Sequence, residues 1–205
     1  MSDFTYDTID GIQFDVLREI GNIGAVNATA AFSRLISPKI NIKVPKVELL
    51  DVREMPDIIG GAEKVFVGIM LGLEGDINGA LMFMMEEESA HHIINIIMHR
   101  DLESFDDFTE MDFSELKEIG NIFAGSYLSS ISMLTNLTVI PSVPSIEINM
   151  AGAILGIPAI QFGVVGDKAL VLRTQIIVED KEESAYFALI PDNDSYTKMM
   201  SSLGL

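Results

Sequence analysis

A nine-residue stretch occurs twice in this chain, and any fold it adopts must accommodate both copies. Leu17-Arg18-Glu19-Ile20-Gly21-Asn22-Ile23-Gly24-Ala25 returns 99 residues later as Leu116-Lys117-Glu118-Ile119-Gly120-Asn121-Ile122-Phe123-Ala124. Seven of the nine positions are identical and Arg18/Lys117 keeps its charge, the pattern of an internal duplication. Two copies imply two similar sites.

The elements around each copy follow one order. Apolar residues at helical spacing (Val16, Leu17, Ile20, Ile23, Ala31) predict a long helix from Ile12 to about Leu35, stopped near Ser37-Pro38. Three strand-like runs follow, Ile40 to Leu50, Lys64 to Leu71 and Ile77 to Met85, and then a helix from Glu86 to His99. Acid-rich Asp101 to Glu110 reads as the linker. The second half predicts a helix from Asp112 to Leu134, strands at Thr138 to Ile148, Ile157 to Val165, Ala169 to Val178 and Ser184 to Ile190, and a last helix from Asn193. Short turns between strands favour antiparallel pairing. The expected fold is therefore α+β: a two-layer, internally duplicated pseudo-twofold repeat with two long helices packed on a mainly antiparallel sheet. Residues 1–205 are expected to form one domain, with repeats at about 12–100 and 111–205.

At 100° per residue, Asp15, Glu19 and Asn22 share an arc of about 60° along roughly 10 Å of the first helix. Val16, Ile20, Ile23 and Ala31 point the other way, so the polar stripe faces outward. Gly21, Gly24 and Ala28 form a small-residue seam expected to admit a second backbone. Ser114, Glu118 and Asn121 repeat the stripe on the second helix. A glutamate on a solvated helix face is ordinary, but asparagine costs about 0.5 kcal/mol against alanine within a helix. Two matched mid-helix asparagines therefore need a reason: either function, or a side-chain bond that closes the Gly21 or Gly120 seam.

Composition excludes several function classes. Thirteen Lys and Arg against 31 Asp and Glu give a net charge of −18, which repels nucleic-acid backbones and anionic lipid heads. The charge serves either solubility or the steering of a basic partner. Cysteine is absent, so thiol nucleophiles, disulfides and thiolate metal sites are too. Neither a signal-peptide pattern at Met1-Ser2-Asp3-Phe4 nor an apolar run of about 20 residues is present, and the expected location is cytoplasmic, without membrane insertion. There is no Walker A sequence and no HExxH pair. His91, His92 and His99 lack clustered ligands and read as surface or packing residues, so no metal site is expected. Asp192-Asn193-Asp194 reads as a helix cap rather than a calcium loop. Met82, Met84 and Met85 read as core.

Each asparagine is followed, after 22 intervening residues, by a proline: Asn22 by Pro45 and Asn121 by Pro144. Both halves thus carry Asp/Ser-x3-Glu-x2-Asn-x22-Pro. This resembles the signature of the CheC family of chemotaxis phosphatases, which includes CheX and FliY. With the pattern complete twice, the resemblance covers essentially the whole chain and is closest to the CheC branch. CheX is similar to a one-site version, and FliY carries a further C-terminal domain.

The resemblance implies a phosphatase that hydrolyses the aspartyl phosphate of the response regulator CheY-P, with sites at Glu19/Asn22 and Glu118/Asn121. The asparagines would orient the attacking water and the glutamates would dock the regulator's lysine, with Asp15 and Ser114 supporting the docking edge. No cofactor of its own is implied, because the regulator carries the magnesium. The competing expectation is a non-catalytic adaptor that binds CheY-P or the receptor deamidase CheD. The implied CheD surface is Asn149, Met150, Ala151, Ala153 and Ile154, just after the second motif proline. An acidic residue would be expected near Asn149, and Gly152, Gly156 and Pro158 should keep any helix there short.

Overall fold

The computed structural model describes residues 11–35, 40–161, 168–178 and 181–205. The first half runs α1 (Gly11–Leu35), β1 (Ile40–Asp51), α2 (Met55–Ile58), β2 (Val65–Gly75), β3 (Gly79–Glu86) and α3 (Glu87–Ile97). The second runs α4 (Glu110–Thr135), β4 (Val139–Pro141), β5 (Ser145–Met150), α5 (Ala151–Gln161), β6 (Lys168–Val178), β7 (Lys181–Pro191) and α6 (Asn193–Ser202). The expected helix stop at Ser37-Pro38 lies outside the described residues.

All strand pairs among the described residues are antiparallel, in the order β1-β6-β7-β3-β2-β4, with β5 also on β2. The halves interleave: β1 pairs with β6 of the second half, while β5 pairs with β2 of the first. Val47 lies opposite Leu172, and 99 residues after Val47, Ile146 lies opposite Ile69. That register is compatible with a pseudo-twofold axis between β3 and β7, where Phe83 faces Phe187.

α1, α3, α4 and α6 cover one face of the sheet. Ile20, Leu116, Ile119, Phe123, Ile93 and Met199 pack there on Val67, Ile69, Phe83, Leu172 and Phe187. Phe123 stacks on Phe83 with ring centroids 5.4 Å apart and lies 4.8 Å from Phe187. Burying such large side chains against each other contributes about 1.5–3 kcal/mol apiece.

The opposite face is not left to solvent, which adds a partial third layer to the two expected. Met55 and Ile59 from α2 and its C-terminal cap, with Ala151, Ile154 and Leu155 from α5, cover Phe66, Met70, Met82, Met84 and Ala188. Eight successive residues of β2, Phe66 to Leu73, are accordingly buried. Met82, Met84 and Met85 are core, as expected.

Two expected strands need correction. Thr138 to Ile148 is broken into β4 and β5 around 142–144. The expected strand Ile157 to Val165 begins within α5, which continues through Pro158, and 162–165 lie outside the described residues. Asp101 to Glu110 is a pinned connection rather than a loose one: the Asn95 carboxamide exchanges two 3.0 Å hydrogen bonds with the Leu102 backbone. Arg100 reaches Asp112 across it at 2.5 and 2.6 Å.

Candidate functional site

α1 and α4 lie side by side, and their small residues set how close they come. The Cβ that Gly24 lacks would sit 2.6 Å from the Tyr127 ring, and that of Gly21 2.7 Å from Val47 Cγ1. The seam therefore admits a ring and a branched side chain rather than a second backbone. Beside it, Asn27 Nδ2 donates to Ser130 Oγ at 3.0 Å.

This packing turns the polar stripes outward, as expected. Asp15, Glu19, Ser114, Glu118 and Asn121 are exposed and Asn22 is half-buried. Neither Asn22 nor Asn121 has a side-chain hydrogen bond among the described residues, so the alternative of a bond closing the glycine seam has no counterpart. Both carboxamides remain available to a partner.

The two stripes differ in their surroundings. At the second, α4 and the β4–β5 connection enclose an open groove of about 420 Å³ lined by Ser114, Lys117, Glu118, Asn121, Pro141, Ser142, Val143 and Pro144. Its loop wall is fixed to the sheet: Ser142 Oγ accepts from the Gly72 amide at 2.9 Å and the Ser142 amide donates to the Gly72 carbonyl at 2.8 Å. Val143, at the rim, is 88% exposed. Sequence reasoning singled out Pro144 but missed Lys117, Ser142 and Val143.

The motif prolines sit at irregularities of the sheet. Pro144 lies in the break between β4 and β5, and Pro45 in the register shift between Lys43 and Lys46 of β1. Proline donates no ladder bond and is tolerated at such irregularities. At the first stripe Asp15 pairs with Arg18 at 2.8 Å.

The expected CheD surface is only partly a surface. Ala151 and Ile154, on the inner side of α5, are fully buried against the sheet, leaving Asn149, Met150 and Ala153 outside. Asn149 Oδ1 accepts from the Met150 amide at 2.8 Å.

His92 Nδ1 is 3.4 Å from Glu183, the His91 ring lies 5.8 Å from that of Phe108, and His99 is exposed. No group of three or more His, Cys, Asp or Glu among the described residues could hold a metal ion. Asp192 caps α6, its carboxylate accepting from the Ser195 amide at 2.7 Å. No described helix is long and apolar enough to cross a membrane.

Fold and stripes together define an α+β protein that carries two matched polar stripes on outward helix faces. Residues 12–49 and 114–148 match the model of the CheC-like family. The chain is 36% identical over 196 residues, 94% of each chain, to the CheY-P phosphatase CheC of Bacillus subtilis. It belongs to the CheC-like family. Its fold is similar to that of Thermotoga maritima FliY, with a TM-score of 0.72 at 21% identity over 96% of this chain and 98% of the other. It is also similar to a chain in the CheX–CheY–BeF3–Mg complex of Borrelia burgdorferi, with a TM-score of 0.53 at 18% identity over 84% and 97%.

Proposed function

We propose that this protein hydrolyses the aspartyl phosphate of a phosphorylated CheY-type response regulator in the cytoplasm, at Glu19/Asn22 on α1 and Glu118/Asn121 on α4. The observation that carries the reading is that two mid-helix asparagines, in a family with a phosphatase relative, keep their carboxamides unbonded among the described residues on outward faces.

An acyl phosphate is already activated, and the regulator contributes its own magnesium and lysine. The phosphatase has only to position water in line with phosphorus. A carboxamide suits that task because it both accepts and donates hydrogen bonds without a charge that repels phosphoryl oxygens. Water oxygen attacks phosphorus, the bond from phosphorus to the aspartyl oxygen breaks with its electron pair left on the aspartate carboxylate, and both protons of the water leave with phosphate as H2PO4−. Glu19 and Glu118 pair with the regulator's lysine and fix the docking angle, with Asp15 and Ser114 at the edge.

The test follows the decay of a phosphorylated CheY-type regulator at fixed magnesium. Wild-type protein accelerates it, and the Asn22→Ala/Asn121→Ala double variant loses about 100-fold or more of that acceleration while binding stays within a few-fold. A folded double variant as active as wild type overturns the mechanism. Binding without acceleration by wild type favours an adaptor for the regulator or CheD.

A further inference from the structure

The two helix faces match in sequence but not in charge. On α1 the basic residue before the glutamate, Arg18, is held by Asp15 at 2.8 Å. On α4 serine replaces that aspartate at position 114, and Lys117 has no ion pair or hydrogen bond among the described residues. Lys117 is half-buried and lines the same groove as Asn121, one helical turn away. Asp15, Arg18 and Glu19 leave the first face with one net negative charge, whereas Ser114, Lys117 and Glu118 sum to zero. In a chain of net charge −18, an anionic surface approaching either face is repelled at long range, so the local difference selects between them.

We propose that Lys117 is the anion-receiving residue of the second site. Its ammonium meets oxyanions at the partner's modified aspartate, either phosphoryl oxygens or neighbouring carboxylates. Asp15 withholds Arg18 from the same role at the first site. The inference rests on the phosphatase reading for the identity of the partner and adds a cation to the expected glutamate–asparagine pair. Lysine suits the position as a flexible point charge that can follow the partner into place.

The experiment uses the full chain carrying Asn22→Ala, which leaves the second site as the reporter, with a phosphorylated CheY-type regulator as substrate. Lys117→Gln lowers kcat/KM about fivefold at low ionic strength, and the loss shrinks at 0.5 M salt, roughly where the screening length falls below about 5 Å. Lys117→Arg restores most of the rate. Ser114→Asp, which installs the first site's counter-charge at i−3, reproduces most of the loss without touching the lysine. Unchanged urea midpoints exclude misfolding as the cause.

Affinities separate the two sources of negative charge. A loss confined to the phosphorylated regulator identifies phosphoryl oxygens, and an equal loss for the unphosphorylated form identifies carboxylates. The proposal is overturned if Lys117→Gln leaves both kcat/KM and affinity unchanged, or if Lys117→Arg fails to rescue. Should the wild type not accelerate decay at all, the phosphatase reading fails separately. Affinity of Lys117→Gln for the phosphorylated regulator then decides: weakened binding supports the anion-receiving role and unchanged binding overturns it.

Discussion

Near the pseudo-twofold axis, equivalent positions cannot both hold a large side chain, and the chain resolves this by making α1 small and α4 large. Gly24 and Ala28 on α1 correspond to Phe123 and Tyr127 on α4, and the Tyr127 ring fills the space beside Gly24. Gly120 is equally constrained, because a Cβ there would lie 2.5 Å from Ile69 Cγ2 and 3.2 Å from Ile69 Cβ, a fully buried residue with no room to retreat. Gly120→Ala should lower stability by about 1–3 kcal/mol. Gly125, five residues on and exposed, has nothing within 4 Å of its missing Cβ, so Gly125→Ala should raise stability by about 0.5–1 kcal/mol. Urea midpoints at constant slope measure both, and loss of stability in the second variant would contradict the assignment of free space there. Glu19, Asn22, Glu118 and Asn121 stood out as candidates because duplication marks residues that did not drift. Lys117 did not, because its counterpart Arg18 carries the same charge. The informative difference lies three residues earlier, at Asp15 and Ser114, and becomes visible only when the ion pair is seen.

At the scale of elements, the placement of Glu118 and Asn121 depends on how α4 begins. Thr109 and Asp112 form a capping box: Asp112 Oδ2 accepts from the Thr109 amide and hydroxyl at 2.7 Å each, and Arg100 reaches the same carboxylate. Burial alone would push the Asp112 carboxyl up, but the Thr109 bonds and the Arg100 guanidinium together outweigh it and hold the carboxyl below its ordinary 3.8. A depressed folded value means that the stabilisation is fully present above the unfolded value and disappears as pH falls through the folded one. Asp112→Asn should therefore be less stable than wild type at pH 7, with the gap closing below about pH 4. A gap independent of pH between 7 and 2.5 in chemical denaturation would assign the loss to packing instead. Helices α1 and α4 were legible from their length and apolar period, whereas α5 was not. Ala151–Gln161 is apolar on nearly every side, so periodicity cannot distinguish a helix from a buried strand there. The unbroken apolar run of Phe66 to Leu73 did contain the clue, since a strand buried on both faces requires a covering layer on each.

At the scale of the whole molecule, the exchange of strands between halves makes each repeat depend on the other. Among the described residues β1 pairs only with β6, and β5 only with β2, so a first half cut free loses the partner of an entire edge strand as well as the α4 neighbour of α1. The sequence showed two repeats but not this interleaving, because pairing between distant strands leaves no local pattern. Fragments 1–104 and 105–205 test it. Neither should unfold cooperatively as a monomer, since each would expose the aromatic centre where Phe83 and Phe187 meet across the axis. A fragment alone has one route to closure, a homodimer in which a true twofold axis replaces the pseudo-axis, pairing β3 with its own copy and β1 with the other copy's β2. Mixed in equal amounts, the two fragments should instead form a one-to-one complex with the circular dichroism of the intact chain, because the fit of the Tyr127 ring beside Gly24 is satisfied only in the mixed pair. Sedimentation and urea titration read the outcome. A cooperative, concentration-independent transition by either fragment alone would show that the repeats are separable domains and that strand exchange is not what holds the molecule together.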